Sequence, residues 1–127
     1  MNVRHNPIPV DPGFEPIYAH AVEIPAGRRT LHVSGQIGQD ADGTVPPSFE
    51  EQFRLAIGNL GAILRGADMG IEDVAKLTFF LPRTADLPKL REIRRELLAI
   101  SPAVTVLVVS ALAGPDLLIE VEAVAAA

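Results

Sequence analysis

The sequence predicts an α+β protein, a mixed β-sheet carrying two helices on one of its faces. Three patterns lead there. Two stretches with apolar residues at steps of three and four interleave with extended stretches, giving the order β-β-(β)-α-β-α-β-β. A β-branched run at residues 103–109 holds almost no polar position. A closing run at residues 117–125 alternates between two faces. At 127 residues the chain has the size of one domain, 1–127, and no internal linker divides it.

Residues 1–15, with Pro7, Pro9 and Pro12, predict an extended N-terminal arm. Residues 17–24 and 29–35 read as two antiparallel strands joined around Pro25-Ala26-Gly27, and Asp40-Ala41-Asp42-Gly43 supplies the turn of a further hairpin edge. Ser48-Phe49-Glu50-Glu51 matches a capping box, which starts a helix whose stripe is Phe49, Phe53, Ile57, Leu60 and Leu64, with Gly66 placed to stop it. Residues 74–81 form a strand closed by Pro82. Asp86 then caps a second helix with Pro88 in its first turn and Leu87, Leu90, Ile93 and Leu97 as the buried stripe. On that helix Arg91, Arg94 and Arg95 interleave with Glu92 and Glu96, the pattern of a solvated face with local ion pairs. The run at 103–109 is expected at the centre of the sheet. In the last strand Ile119, Val121, Ala123 and Ala125 share one side. Leu118, Glu120, Glu122 and Val124 share the other, placing two carboxylates about 7 Å apart by strand rise.

Composition narrows the function classes. With 48% hydrophobic and 21% charged residues and a mean hydropathy of +0.26, the chain carries more apolar surface than a monomer of this size hides, which points to self-association. The absence of cysteine excludes disulfides, thiolate metal sites and cysteine nucleophiles. A net charge of −5 opposes binding to nucleic acid. No run approaches the roughly 18 apolar residues of a membrane span, and the start is not a secretory signal, so a soluble cytoplasmic protein is expected. His5, His20 and His32 lack metal-ligand spacing, and Asp40-Ala41-Asp42-Gly43 lacks the distal glutamate of a calcium loop, so no metal is expected.

Leu31-His32-Val33-Ser34-Gly35-Gln36-Ile37 and Ile119-Glu120-Val121-Glu122-Ala123, together with Tyr18, Glu50-Glu51-Gln52 and Val74-Ala75-Lys76-Leu77-Thr78-Phe79-Phe80, resemble the Rid/YjgF family of reactive-intermediate deaminases. This family is also called the liver perchloric-acid-soluble protein family. The resemblance runs from about residue 16 to residue 125. It implies a chorismate-mutase-like, YjgF-like fold and a homotrimer whose sheets pack into a central barrel-like core, with ligand clefts between adjacent subunits. It also implies hydrolysis of an imine or enamine to a keto acid and ammonia, without cofactor or metal.

The resemblance assigns residues as well. Glu120 matches the family's cleft carboxylate and Tyr18 its cleft tyrosine, the two expected catalytic groups. Ser34 and Gly35 match the segment that holds the substrate carboxylate. Thr105 stands in Pro102-Ala103-Val104-Thr105, where relatives carry an arginine that clamps that carboxylate. Val104 occupies the arginine's place, and loss of such a clamp costs roughly 2–5 kcal/mol of binding. Arg91 falls where relatives carry a cleft asparagine and offers a substitute guanidinium. The implied function is action on a small imine, enamine or related carbonyl compound in intersubunit clefts, with Val104 arguing against ordinary 2-imino acid deamination. The alternative is a non-catalytic trimer that binds a small ligand or serves as a scaffold. Ribonuclease action, also ascribed to some family members, finds no histidine pair or basic groove here.

Overall fold

In the computed structural model, which describes residues 1–7 and 17–127, the described residues form six strands and two α-helices. Strands β1 (Val3–His5) and β2 (Ala21–Glu23) make a small antiparallel pair. Strands β3 (Thr30–Ile37), β4 (Val74–Leu81), β5 (Ala103–Val108) and β6 (Glu120–Ala126) make a mixed sheet in the order β3-β6-β4-β5. Helices α1 (Phe49–Gly66) and α2 (Leu87–Leu97) pack on one face of that sheet, as the α+β reading expects.

The capping side chain and stripe of α1 explain its position. Ser48 Oγ accepts from the Glu51 amide at 3.1 Å, and Phe53, Ala56, Leu60 and Leu64 are fully buried against Leu77, Phe79, Val121 and Ala123 of the sheet. β6 is one of the two interior strands, and its Val121, Ala123 and Ala125 lie under the helices while Glu120, Glu122 and Val124 face the open side. Gln52 is buried within this apolar layer, and its amide nitrogen donates to the carbonyls of Pro46 and Asp116 while its oxygen accepts from the Leu118 amide.

Four expectations change. First, residues 17–24 and 29–35 do not form a hairpin with each other. β2 pairs with Val3–His5, joined by a 2.9 Å His5–Glu23 contact, while β3 takes β6 as its partner. The remainder of the expected arm, residues 8–16, lies outside the described residues. Second, the Asp40–Gly43 turn forms, with the Asp40 carboxylate accepting from the Asp42 and Thr44 amides, yet no strand follows it. Pro46, Pro47 and the Ser48 cap end the extended path at once. Third, β5 is an edge strand, paired along its length in parallel with β4 and met on its other side by a single bridge from Ala19 to Ala103, and Val106, Leu107 and Val108 are 36%, 46% and 45% exposed. A strand apolar on both sides reads the same whether its own helices or another surface covers it, which is why periodicity placed it centrally. Fourth, Asp86 stands at the start of α2 without a capping hydrogen bond; its carboxylate instead accepts from Arg83 Nε at 2.8 Å.

Candidate functional site

The sequence-singled residues fall into two groups at opposite edges of the sheet. Tyr18, Arg91 and Val104 come together in a cleft of about 280 Å³ between α2 and β5, lined also by Leu90, Arg94 and Arg95. Ser34, Gly35 and Glu120 gather at the β3 edge, on the open sheet face. Three strand spacings, roughly 14 Å, separate β3 from β5. Thr105 belongs with neither group. Alternation turns it away from Val104, and its hydroxyl accepts from Lys76 Nζ at 2.7 Å.

The backbone explains the first cleft. The Ala19 amide donates to the Pro102 carbonyl at 2.9 Å and Ala19 pairs with Ala103, which lays Tyr18 along the start of β5. Val104 and Val106 sit on the helix-facing side of β5 and make an apolar floor. Helix α2 supplies the rest. Leu90, Ile93, Arg94 and Leu97 follow steps of three and four, so the stripe that buries leucines also buries Arg94.

Arg94 corrects the expectation of a solvated face. It is only 6% exposed, donates to the Ile17 carbonyl, and has its guanidinium 5.8 Å from the centre of the Phe79 ring. Burial holds it below the usual arginine range, with Tyr18 opposing that shift and Arg95 adding to it. The local ion pairs form elsewhere. Arg54 takes Glu50 and Glu96, and Lys89 takes Glu50 and Glu92. The Arg54 hydrogen bonds hold the Glu96 carboxyl below its usual range. Among the described residues no carboxylate pairs with Arg91, Arg94 or Arg95, and none lines the cleft. A buried guanidinium without a counter-charge is costly, so an anion entering this cleft gains both hydrogen bonds and charge compensation. The signal was present in the sequence: position 94 is in phase with Leu87, Leu90 and Leu97.

A bulge builds the second group. Val33 pairs with Ala123 and Gln36 with Val121, so Ser34 and Gly35 together oppose Glu122. The Glu120 side chain lies directly over Gly35, where an added Cβ would fall 1.9 Å from Oε1. Gly35 is therefore the seat of the Glu120 carboxylate. Ser34 faces the open side with His32, Lys76, Thr78 and Glu122 around a depression of about 260 Å³. Gly35→Ala is expected to cost only about 1 kcal/mol of stability, because the carboxylate end swings away, but to move Glu120. Near-unchanged thermal unfolding alongside a shifted Glu120 carboxyl carbon resonance is the result to look for.

Among the described residues no group of three His, Asp or Glu side chains is placed to hold a metal ion, and no helix is long and apolar enough to cross a membrane.

Known proteins are similar in sequence and fold. The sequence profile of the family described as endoribonuclease L-PSP matches residues 12–127. A RutC family protein of Pyrococcus horikoshii, PH0854, is 33% identical over 113 residues, 87% of this chain and 89% of that one. Two further relatives match over shorter stretches. The RutC family protein YjgH of Escherichia coli is 46% identical over 50 residues, and the 2-iminobutanoate/2-iminopropanoate deaminase of Mus musculus 35% over 78. Those matches cover 39% and 60% of this chain but only 38% and 56% of the relatives' lengths. The crystal structure of YyfB from Yersinia pestis, a protein of unknown function in the conserved Rid family, superposes with a TM-score of 0.89 at 31% identity, covering 99% of this chain and 98% of that one. The profile match over most of the chain, the PH0854 relative and the YyfB superposition agree: the chain belongs to the Rid/YjgF family, the endoribonuclease L-PSP family of sequence profiles.

Proposed function

We propose that this protein binds a small imine or enamine bearing a carboxylate and hydrolyses it, with Arg94 of α2 as the anion clamp that Val104 cannot be. The observation that carries this reading is the buried Arg94 guanidinium facing Tyr18 without a carboxylate partner among the described residues. The deaminase name of the mouse relative supports the reaction class. The oxygen of a water bonds to the imine carbon, the C–N bond breaks, and nitrogen leaves as ammonia carrying the two hydrogens of that water. Nothing is oxidised or reduced. Tyr18 orients the carbonyl-forming carbon, and a carboxylate takes and returns the proton.

That carboxylate is Glu120 of a neighbouring copy. One chain holds its arginine group and its Ser34–Glu120 group on opposite sheet edges, and a head-to-tail ring brings unlike edges together at every interface. The exposed Val106, Leu107 and Val108 give the ring an apolar seam beside the arginine cleft. A homotrimer with three equivalent clefts is the closed ring proposed.

Complementation between two inactive variants tests both statements. Arg94→Met and Glu120→Gln proteins, each silent towards freshly generated 2-iminopropanoate, are unfolded together, refolded as mixed oligomers, and assayed for keto-acid and ammonia release. Recovery of a fraction of wild-type turnover is expected, since some clefts then combine an intact Arg94 with an intact Glu120. No recovery, with wild type active, would place both groups in one chain's site. A wild type that binds the keto acid without turning over the imine would favour the non-catalytic ligand-binding reading, for which the distance between the two groups within one chain is the supporting observation.

A further inference from the structure

Arg94 does not stand alone in its cleft. Arg91 is three residues before it and Arg95 directly after, and all three line the same small cavity with Tyr18, Val104 and Val106. The spacings 91–94 and 91–95 are those of helix neighbours, and like charges at such spacings oppose helix formation. The nearby acids are committed elsewhere, Glu96 to Arg54 and Glu92 to Lys89. In a chain of net charge −5 this leaves one cavity whose lining, among the described residues, holds three cationic side chains and no acidic one. One carboxylate occupies one guanidinium fork, so a second anionic group has its own partners at the cleft mouth.

Resting on the reading that Arg94 clamps a substrate carboxylate, we infer that the substrate carries two carboxylates, with Arg94 holding the one beside the imine carbon and Arg91 and Arg95 the distal one. The cavity, at about 280 Å³, lies just below the usual size of ligand sites, roughly 300–1,000 Å³, which suits a compact dicarboxylic imino acid rather than a nucleotide or a long chain. The walls fit as well. Apolar Val104, Val106 and Leu90 line the space between the charged ends, where a short methylene spacer needs no hydrogen bond.

The protein contains its own reporter. Tyr18 is the only tyrosine, there is no tryptophan, and the ring lines the cleft, so tyrosine fluorescence reads ligand entry directly. Wild-type oligomer is titrated with succinate, propionate and inorganic phosphate. Succinate is expected to bind about tenfold or more tighter than propionate, the increment of one charge-assisted contact. Arg91→Gln and Arg95→Gln, both exposed positions whose loss spares the core, are expected to lower succinate affinity by more than propionate affinity and so erase that preference. The inference is overturned by equal affinities in wild type, by a preference that survives both substitutions, or by phosphate binding tighter than succinate. The underlying reading fails separately: propionate affinity would then be indifferent to Arg94→Met. With turnover as the readout, the imine of aspartate is expected to exceed 2-iminopropanoate in kcat/KM by a similar factor, and a reversed order counts against the dicarboxylate.

Discussion

Arg94→Met is expected to weaken carboxylate binding about 30- to 1,000-fold, the equivalent of roughly 2–4 kcal/mol, while leaving the protein as stable as wild type or more so. The two halves of this result belong together. A guanidinium 6% exposed, bonded to one backbone carbonyl and resting over the Phe79 ring, has left water for little return. Methionine fills nearly the same space, packs against Phe79 through its sulfur, and asks for no partner. Among the described residues the group released is the carbonyl of Ile17, a half-buried residue beside the cleft. A structural arginine behaves in the opposite way, since its removal lowers the unfolding temperature. Denaturation midpoints read beside fluorescence titrations of Tyr18 therefore distinguish an anion clamp from a packing residue. Arg94→Lys sharpens the contrast. The shorter, single-point cation loses the fork geometry, and burial lowers a lysine's pKa, so its binding is present at low pH and fades as pH rises through that lowered pKa. Arginine stays charged throughout that range, so wild-type binding stays flat there. Val104→Arg placed on the Arg94→Met background returns a guanidinium to the same cleft from the strand side, and partial recovery of binding is expected.

Much of this was legible before the coordinates, for identifiable reasons. The α1 stripe, the β4 limits and the alternation in β6 are local periodicities that one chain satisfies by itself; the last two appear as read, and the stripe differs only where Ile57 is partly buried while Gln52 and Ala56 join the buried face. The position of β5 was not legible, because Val104, Val106, Leu107 and Val108 satisfy a pattern whose cover lies outside the chain's own helices. The arginines of α2 were misread for a related reason. An alternation of Arg and Glu looks like a solvated face until the third dimension shows that Arg54, from another helix, has taken Glu96. Arg91, chosen from its alignment with the family asparagine, does line the cleft, but Arg94 is the one held inside it. The Ser34-Gly35 bulge was hidden because register is a property of two strands, and Gly35 earned notice by resemblance rather than by its contact with Glu120.

Gln52→Leu is expected to lower stability by about 3 kcal/mol, and with it the unfolding temperature by roughly 10 °C. Gln52 is fully buried, yet the residue is an organiser of backbone rather than filler. Its side chain binds the Pro46 carbonyl at 2.8 Å, the Asp116 carbonyl at 2.9 Å and the Leu118 amide at 2.8 Å. It thereby ties the approach to α1 to the loop that delivers Glu120. Leucine matches the volume and leaves all three groups without their partner; part of that cost is recovered from water at Asp116, which is exposed. The neighbouring backbone has no slack to adjust, since a Cβ at Gly38 would lie 2.4 Å from the Gln52 Cα. Gln52→Glu separates hydrogen bonding from packing. An ionised carboxylate still accepts from the Leu118 amide but meets two carbonyl oxygens with none of the donors they require, so at neutral pH this variant should unfold below Gln52→Leu. Burial, with one amide donor set against two facing carbonyl oxygens, raises the pKa of that glutamate in the folded state, so its destabilisation is largest above the raised pKa and shrinks as pH falls through it. A pH series of unfolding midpoints reads this directly, with the gap between the two variants closing on acidification. A gap independent of pH would mean that the three bonds seen around Gln52 are not what holds the Asp116–Leu118 backbone. Because that backbone leads straight into Glu120, the same variants link stability to chemistry: loosening residues 116–118 should lower turnover more than it lowers carboxylate affinity, since the arginine cleft lies at the other edge of the sheet.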